Sequence, residues 1–293
     1  MNDIHLALKS FDEAKYLEQN PDVHRAVQNK SLLSGWEHYI FHGYNEQRAG
    51  VSPEVRQAVK DIMEHGPVVP PGHLRKRIHG NENIAAFEAV GRITTFNIFA
   101  AIHPKMDTGN GPYRIFDFGC GCGRVIRFLH KIFENCAFSG SDIDKDAIAW
   151  NRENLSYIGE FVANEILPPL PFEAEAFDFI YSISVFTHLP EDMQFMWLEE
   201  LRRVSKPNGY LLLTTHGEHL LDSAPEALKK ELQDKGFYYS VGDGTEGLPD
   251  FYQTTFHTES YIRTRWSKYF EIERIVKKGI AGHQDLIFCK RRG

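Results

Sequence analysis

From residue 111 to the C-terminus, short runs rich in β-branched and aromatic residues alternate with stretches whose apolar positions recur at helical spacing. The runs predict strands over Arg114–Gly119, Ala137–Asp142, Glu160–Val162, Phe177–Ser182, Tyr210–Thr215, Phe270–Val276 and Gln284–Lys290. Such alternation is the pattern of a doubly wound α/β sheet with helices on both faces. Only Lys277–His283 separates the last two runs, too little for a crossover helix, so this pair must run antiparallel. Upstream the pattern turns helical. Phe11–Glu18, Pro21–Gln28 and Leu33–His42 are short helical stretches punctuated by Asn, Pro or Gly. Ile84–Ile102 places Phe87, Val90, Ile93, Phe96 and Phe99 at helical spacing and should pack on the sheet domain. A proline-rich joint at Gly66–Gly72 reads as a hinge or cover.

These patterns divide the chain into a small helical module at 1–50, a helical linker and cover at 51–110, and a sheet domain at 111–293. Within the last, about 236–268 forms an insertion crowded with aromatics. Gly242, Gly244, Gly247 and Pro249 interrupt it, so it is expected to be a substrate-facing loop rather than one strand or helix.

The chemistry concentrates where the first strand ends. Phe116-Asp-Phe-Gly-Cys-Gly-Cys-Gly-Arg124 is a strand running into a glycine loop that opens a helix, which frees the backbone to turn sharply and lets a ligand approach its N–H groups. Asp142, at the end of the second strand, stands 19 positions after Gly123, where a β-α-β unit delivers a carboxylate beside that loop. A carboxylate there can accept both hydroxyls of a ribose.

Composition narrows the class. The chain has 293 residues, 42% of them hydrophobic, and a net charge of −7, with no long basic run to meet a nucleic acid. Small molecules or neutral polymers are the expected partners. No segment reads as a membrane span, and Cys120, Cys122, Cys136 and Cys289 lack the spacing of a zinc site or a disulfide framework, which fits a reducing, cytoplasmic setting.

The order Asp117, Gly119, Gly121, Gly123 gives an acidic residue before G-x-G-x-G, and in this the chain resembles the class I S-adenosylmethionine-dependent methyltransferases. That resemblance implies a Rossmann-like sheet of seven strands, the seventh antiparallel. It implies S-adenosylmethionine as cofactor, with Asp117, Gly119, Cys120 and Gly121 around its methionine part, Asp142 on the ribose and Ile143 on the adenine. Asn164, after the third strand, would contact the adenine amino group, and Ser182 to Ser184 would offer carbonyls to the methionine amino group. Ser184, Thr187 and His188 would face the methyl group. His188 and His216 are the imidazoles placed to take a proton from a hydroxyl acceptor. Arg75 or Arg77, ahead of the first strand, are candidates for the cofactor's carboxylate.

A second resemblance lies in Tyr16-Leu-Glu-Gln-Asn-Pro-Asp-Val23, His38-Tyr-Ile-Phe-His-Gly43 and Glu46-Gln-Arg48, similar to a short helical module found beside bacterial glycosyltransferases and other surface-polysaccharide enzymes. It implies a glycan or small-molecule acceptor and docking to polysaccharide-assembly proteins. Two other readings stay open: a nucleotide-sugar or NAD-binding enzyme sharing the β-α-β opening, and a catalytically silent scaffold.

Overall fold

The computed structural model describes residues 4–29, 31–32, 34–64, 68–106, 112–242 and 249–293. Its sheet strands are β1 (Arg114–Phe118), β2 (Ala137–Asp142), β3 (Gly159–Ala163), β4 (Phe177–Ser182), β5 (Ser205–Thr215), β8 (Glu271–Ile280) and β9 (Gln284–Lys290); a separate pair is β6 (Phe237–Ser240) and β7 (Thr254–His257). The seven-stranded sheet has the order β3-β2-β1-β4-β5-β9-β8, with β1 to β5 parallel and β9 antiparallel to both of its neighbours. This is the Rossmann-like methyltransferase arrangement that the sequence predicts. Strand order reverses between β1 and β4, and the crevice outside their carboxyl ends is where α/β sheets bind ligands.

Alternation along the strands builds two cores. On β5, Leu212 faces one side and Leu211 and Leu213 the other; on β9, Leu286 and Phe288 oppose Ile287 and Cys289. One face is covered by helices α1 (Ile4–Lys9), α2 (Glu13–Gln19), α3 (Pro21–Gln28), α4 (Gly35–His38), α5 (Pro53–Glu64), α6 (Gly72–His79), α7 (Ile84–Ile102), α8 (Ile126–Ile132) and α9 (Lys145–Asn154). The other carries α10 (Glu191–Val204) and α12 (Glu259–Arg265), with α11 (Glu226–Lys235) beside the small hairpin.

Helix α7 is long and apolar enough to cross a membrane by length and composition, although no segment of the sequence read as a span; half of its apolar window is buried in the molecule. The burial follows from small residues. Gly91 lies against the Arg124 carbonyl with no room for a Cβ, and the Thr95 hydroxyl turns back onto the Gly91 carbonyl at 2.9 Å. Phe96 and Phe99 then join the core of the sheet.

The N-terminal string that resembles a polysaccharide-associated module is held by contacts among its own residues. Tyr16 Oη and His38 Nδ1 share a hydrogen bond of 2.9 Å, and Asn20 Nδ2 donates to the carbonyls of Tyr16 at 2.8 Å and Ala49 at 3.0 Å. Arg48 pairs with Asp22 and Glu46, and Gly43 sits where any Cβ would overlap the Tyr16 hydroxyl. Tyr16, Val23, Tyr39 and Ile40 run without a break into the core shared by α5 and α7. The third predicted helix begins within a stretch where Leu33 lies outside the described residues; Gly35–His38 is α-helical and continues as a π-helical turn over Tyr39–Gly43.

The insertion differs from the expected loop. It contains the antiparallel pair β6–β7 and the helix α12, while Gly244 and Gly247 lie outside the described residues. Its chain is stapled to the loops that leave the sheet: Gln253 N donates to the His188 carbonyl at 3.2 Å, Thr255 N to Thr187 at 2.8 Å and His257 N to His216 at 2.8 Å. Pairing with β6 on one side and with these loops on the other satisfies the backbone groups of the segment, which must find partners once buried. Of the proline-rich joint, residues 66 and 67 lie outside the described set, and Pro71 stands at the N-cap of α6.

Candidate active site

The glycine loop turns across the end of β2: Gly119 N and Cys120 N both donate to the Ser141 carbonyl, at 2.8 and 2.9 Å. Gly119 and Gly121 hold φ of 78° and 51°, left-handed values that L side chains rarely adopt. A Cβ on Gly119 would overlap Val185 Cγ2, and one on Gly121 would overlap Ile78 Cδ1. Asp142 then locks the turn. Its Oδ2 accepts from Gly121 N and its Oδ1 from Asp144 N, each at 2.8 Å, which leaves one lone-pair direction on each oxygen for a ligand.

This loop floors a cavity of about 600 Å³ at the carboxyl ends of β1, β2 and β4. Asp117, Gly119, Cys120, Gly121, Asp142, Ile143 and Asn164 line one part of it, and Ser184 and His188 another. Helix α6 closes one side with Lys76 to His79, and Phe251 to Thr254 of the insertion close the other. Asn164 is buried; its Nδ2 donates to the Glu165 carbonyl at 2.8 Å, whereas its Oδ1 is buried without a partner among the described residues. That orphaned acceptor needs a donor, such as an exocyclic amino group.

Two expected residues fall behind the wall. Ser182 and Thr187 are fully buried and do not line the cavity, because Ser182 is still within the sheet, paired opposite Leu213, and Thr187 is clamped by Thr255. Ile183, Ser184 and Val185 take their place. Ser184 has φ of 65°, and its N–H donates to Thr214 Oγ1 at 2.8 Å, its Oγ accepts from Gln284 Nε2 at 2.8 Å, and its carbonyl accepts from Tyr252 Oη at 3.2 Å.

His188 lines the cavity, and its Nδ1 lies 2.8 Å from the Gln253 carbonyl. A carbonyl only accepts, so Nδ1 carries the hydrogen, and in the neutral ring Nε2 is left as the basic nitrogen. The ring stacks on Tyr252, with centroids 4.2 Å apart and planes at 20°. His216 does not line the cavity. It is buried behind His188, 6.1 Å away between ring centroids, and bonds to the Thr255 carbonyl at 3.2 Å. Burial, with the neighbouring His188 and His283, pushes its pKa down to about 3, so it stays neutral.

The arginines proposed from sequence have other partners. Arg75 is spent on the Glu82 and Pro70 carbonyls, and Arg77 pairs with Asp144 at 2.8 Å and with Asp146 at 3.2 Å. Sequence reasoning missed Arg124 instead. It directly follows the glycine loop, is buried in the cavity wall, and has no carboxylate partner among the described residues. Among the described residues its one hydrogen bond is a long one of 3.4 Å to the Ile78 carbonyl, and its Nε is buried without a partner there. A buried guanidinium without a counter-charge is costly, and an incoming carboxylate relieves that cost.

Asp117 is buried, accepts from Tyr181 Oη at 2.8 Å and has its pKa raised by burial to about 8. The sign of its effect on stability follows. The folded state holds a proton that the unfolded chain releases near pH 4, so stability falls as pH rises toward 8. Below about pH 6.5 the buried neutral His216 and His257, both pushed down to about 3, act in the opposite direction. Between pH 6.5 and 8 Asp117 acts without that opposition. We expect the melting temperature of the ligand-free protein to fall across this window, with a slope of up to about 1.4 kcal/mol per pH unit, and Asp117→Asn to flatten it. Thermal scans at fixed ionic strength read both; equal slopes in the two proteins would show that Asp117 is ionised throughout.

Residues 115–209 match the family model described as a methyltransferase domain. The chain is 31% identical over 102 residues to a fatty-acid O-methyltransferase of Mycolicibacterium smegmatis, covering 34% of this chain and 36% of that protein. It is 27% identical over 153 residues to the chloroplastic tocopherol O-methyltransferase of Arabidopsis thaliana, covering 48% and 42% respectively. The chain thus spans less than half the length of these curated relatives. Among solved structures it resembles the 1,6-didemethyltoxoflavin-N1-methyltransferase of Burkholderia thailandensis, with a TM-score of 0.50 and 14% identity, over 78% of this chain and 94% of that one. That structure has S-adenosylhomocysteine bound.

The residues present fit such a cofactor: a carboxylate with free lone pairs at Asp142, an orphaned acceptor at Asn164, a glycine turn without side chains, and an unpaired buried cation at Arg124. The seven-stranded sheet has the methyltransferase arrangement, residues 115–209 match a methyltransferase domain, and the residues at the glycine loop fit S-adenosylmethionine.

Proposed function

We propose that this protein methylates a hydroxyl oxygen of a small acceptor, that the acceptor is a saccharide of bacterial surface-polysaccharide metabolism, and that His188 accepts the hydroxyl proton. In this reading Asp142 holds the ribose, Ile143 and Asn164 the adenine, Ser184 the methionine ammonium, and Asp117 with Gly119 to Gly121 the surrounding floor. Arg124 replaces Arg75 and Arg77 as the partner of the carboxylate. Bound S-adenosylmethionine supplies an electrophilic methyl group. The chain's own work is to hold the acceptor in line, to keep water out and to receive one proton.

The observation that carries this reading is the tautomer of His188. Its Nδ1 is fixed on the Gln253 carbonyl, so in the neutral ring Nε2 is the basic nitrogen, on a side chain that lines the same cavity as the glycine loop. Oxygen as the acceptor atom is supported by relatives that are named O-methyltransferases. A saccharide is supported by the N-terminal resemblance and by Phe251 and Tyr252 in the cavity wall, since sugar faces stack on aromatics. Docking of the N-terminal module to assembly proteins would use other residues, because Tyr16, Asn20, His38 and Arg48 are committed to internal contacts.

The test is transfer from a labelled methyl donor to three sets of acceptors: free and nucleotide-linked sugars, phenols, and fatty acids. Label recovered in a base-stable ether on a sugar is the expected result. Label only in a base-labile ester or only on a phenol overturns the saccharide assignment, and label on an amine overturns the hydroxyl.

A further inference from the structure

Tyr252 touches both halves of the site. Its hydroxyl donates to the Ser184 carbonyl at 3.2 Å, and its ring lies against His188 with centroids 4.2 Å apart. The next residue, Gln253, supplies the carbonyl that fixes His188 Nδ1 at 2.8 Å, so the hold on His188 and the contact with Ser184 belong to one short stretch of chain. Ser184 itself cannot adjust. Its left-handed backbone is pinned by Thr214 through the N–H and by Gln284 through the hydroxyl.

We propose that Tyr252 is a positioning residue that couples the amino-acid end of the cofactor to the orientation of His188. The inference rests on the reading that the cofactor's ammonium group uses the Ser184 carbonyl. In the ligand-free protein the Tyr252 hydroxyl holds that carbonyl, and in this proposal the ammonium group takes the lone pair that the hydroxyl occupies. The contest favours the ligand: the O–H···O contact of 3.2 Å is long for its type, whereas a charged N–H donor forms a shorter bond of roughly twice the strength. As the hydroxyl gives way the ring turns, and the imidazole stacked on it turns with it. Cofactor binding and the setting of His188 are then linked, and linkage is reciprocal.

Comparison of two ligands isolates the effect. S-adenosylhomocysteine has the amino-acid end, and 5′-methylthioadenosine shares the adenosine and sulfur but lacks it. Calorimetric titration of wild type and Tyr252→Phe is expected to show S-adenosylhomocysteine bound about 2- to 10-fold more tightly by the variant, the range that follows from losing one competing neutral hydrogen bond. 5′-Methylthioadenosine should bind both proteins equally. In wild type, the His188 ring resonances should shift on adding S-adenosylhomocysteine and stay in place with 5′-methylthioadenosine. Equal tightening for both ligands, or no tightening for either, overturns the coupling while leaving the cofactor site intact. Failure of wild type to bind either ligand overturns the cofactor placement, and the coupling with it. Tyr252→Phe keeps the ring, so the stack on His188 and the local fold are retained in the comparison.

Discussion

His188→Ala is expected to lower turnover by about 10²- to 10⁴-fold, the usual contribution of a general base, while S-adenosylhomocysteine affinity stays within about twofold of wild type. The separation follows from geometry. His188 lies on the cavity wall, whereas the carboxylate proposed to hold the ribose and the acceptor proposed to meet the adenine belong to Asp142 and Asn164, at the ends of β2 and β3. Replacing His216 should act differently, since that ring is kept neutral behind His188 and reaches the cavity only through its neighbours. His216→Ala opens a cavity beside the Thr255 strand and should lower thermal stability more than it lowers the rate. Single-turnover kinetics with saturating cofactor make the distinction. Wild-type turnover in His188→Ala would leave proton removal to solvent and reduce the site to alignment.

Asp142→Ala is expected to weaken cofactor binding by about 10²- to 10⁴-fold. Hydrogen bonds to a charged carboxylate contribute roughly 1.5 to 3 kcal/mol each, and the two proposed to the ribose would be removed together. The same substitution also strips the acceptors from Gly121 N and Asp144 N, so the glycine turn loses its lock as well as its ligand contact. Asp142→Asn separates the two effects, because it keeps one acceptor oxygen for the loop. Burial raises the Asp142 pKa to about 6, against the pull of its backbone donors, so wild-type affinity should fall as pH drops through 6 and the carboxylate is protonated. Titration of S-adenosylhomocysteine across that range tests this. Unchanged affinity in Asp142→Ala would place the ribose elsewhere.

Much of the fold is written in local pattern. β2, β4 and β9 occupy the ranges that hydrophobic runs and turn residues predict, and the antiparallel final pair follows from a connection too short for a helix. β5 begins earlier than predicted, at Ser205, because the chain pairs with β4 across a bulge near Phe177 that no periodicity marks. The insertion is harder to read. Its glycines and proline predict interruption, but 254–257 becomes a strand by pairing with 237–240, and the bonds that fasten it to the sheet domain go to the distant loops at Thr187 and His216.

What the sequence determined by itself is the set of features whose cause is local: the glycine turn, the carboxylate of Asp142 beside it, and the alternation that gives each strand two faces. Only the tertiary structure decided which polar side chains reach the cavity. Arg124 meets it without a carboxylate partner among the described residues while Arg77 is drawn to Asp144, and His188 meets it while His216 is screened. The Gln253 carbonyl that sets the His188 tautomer comes from 65 positions away. Side chains of like charge and size are equivalent in a sequence. Burial and the competition for a limited number of hydrogen-bond partners separate them, and both depend on contacts between distant segments.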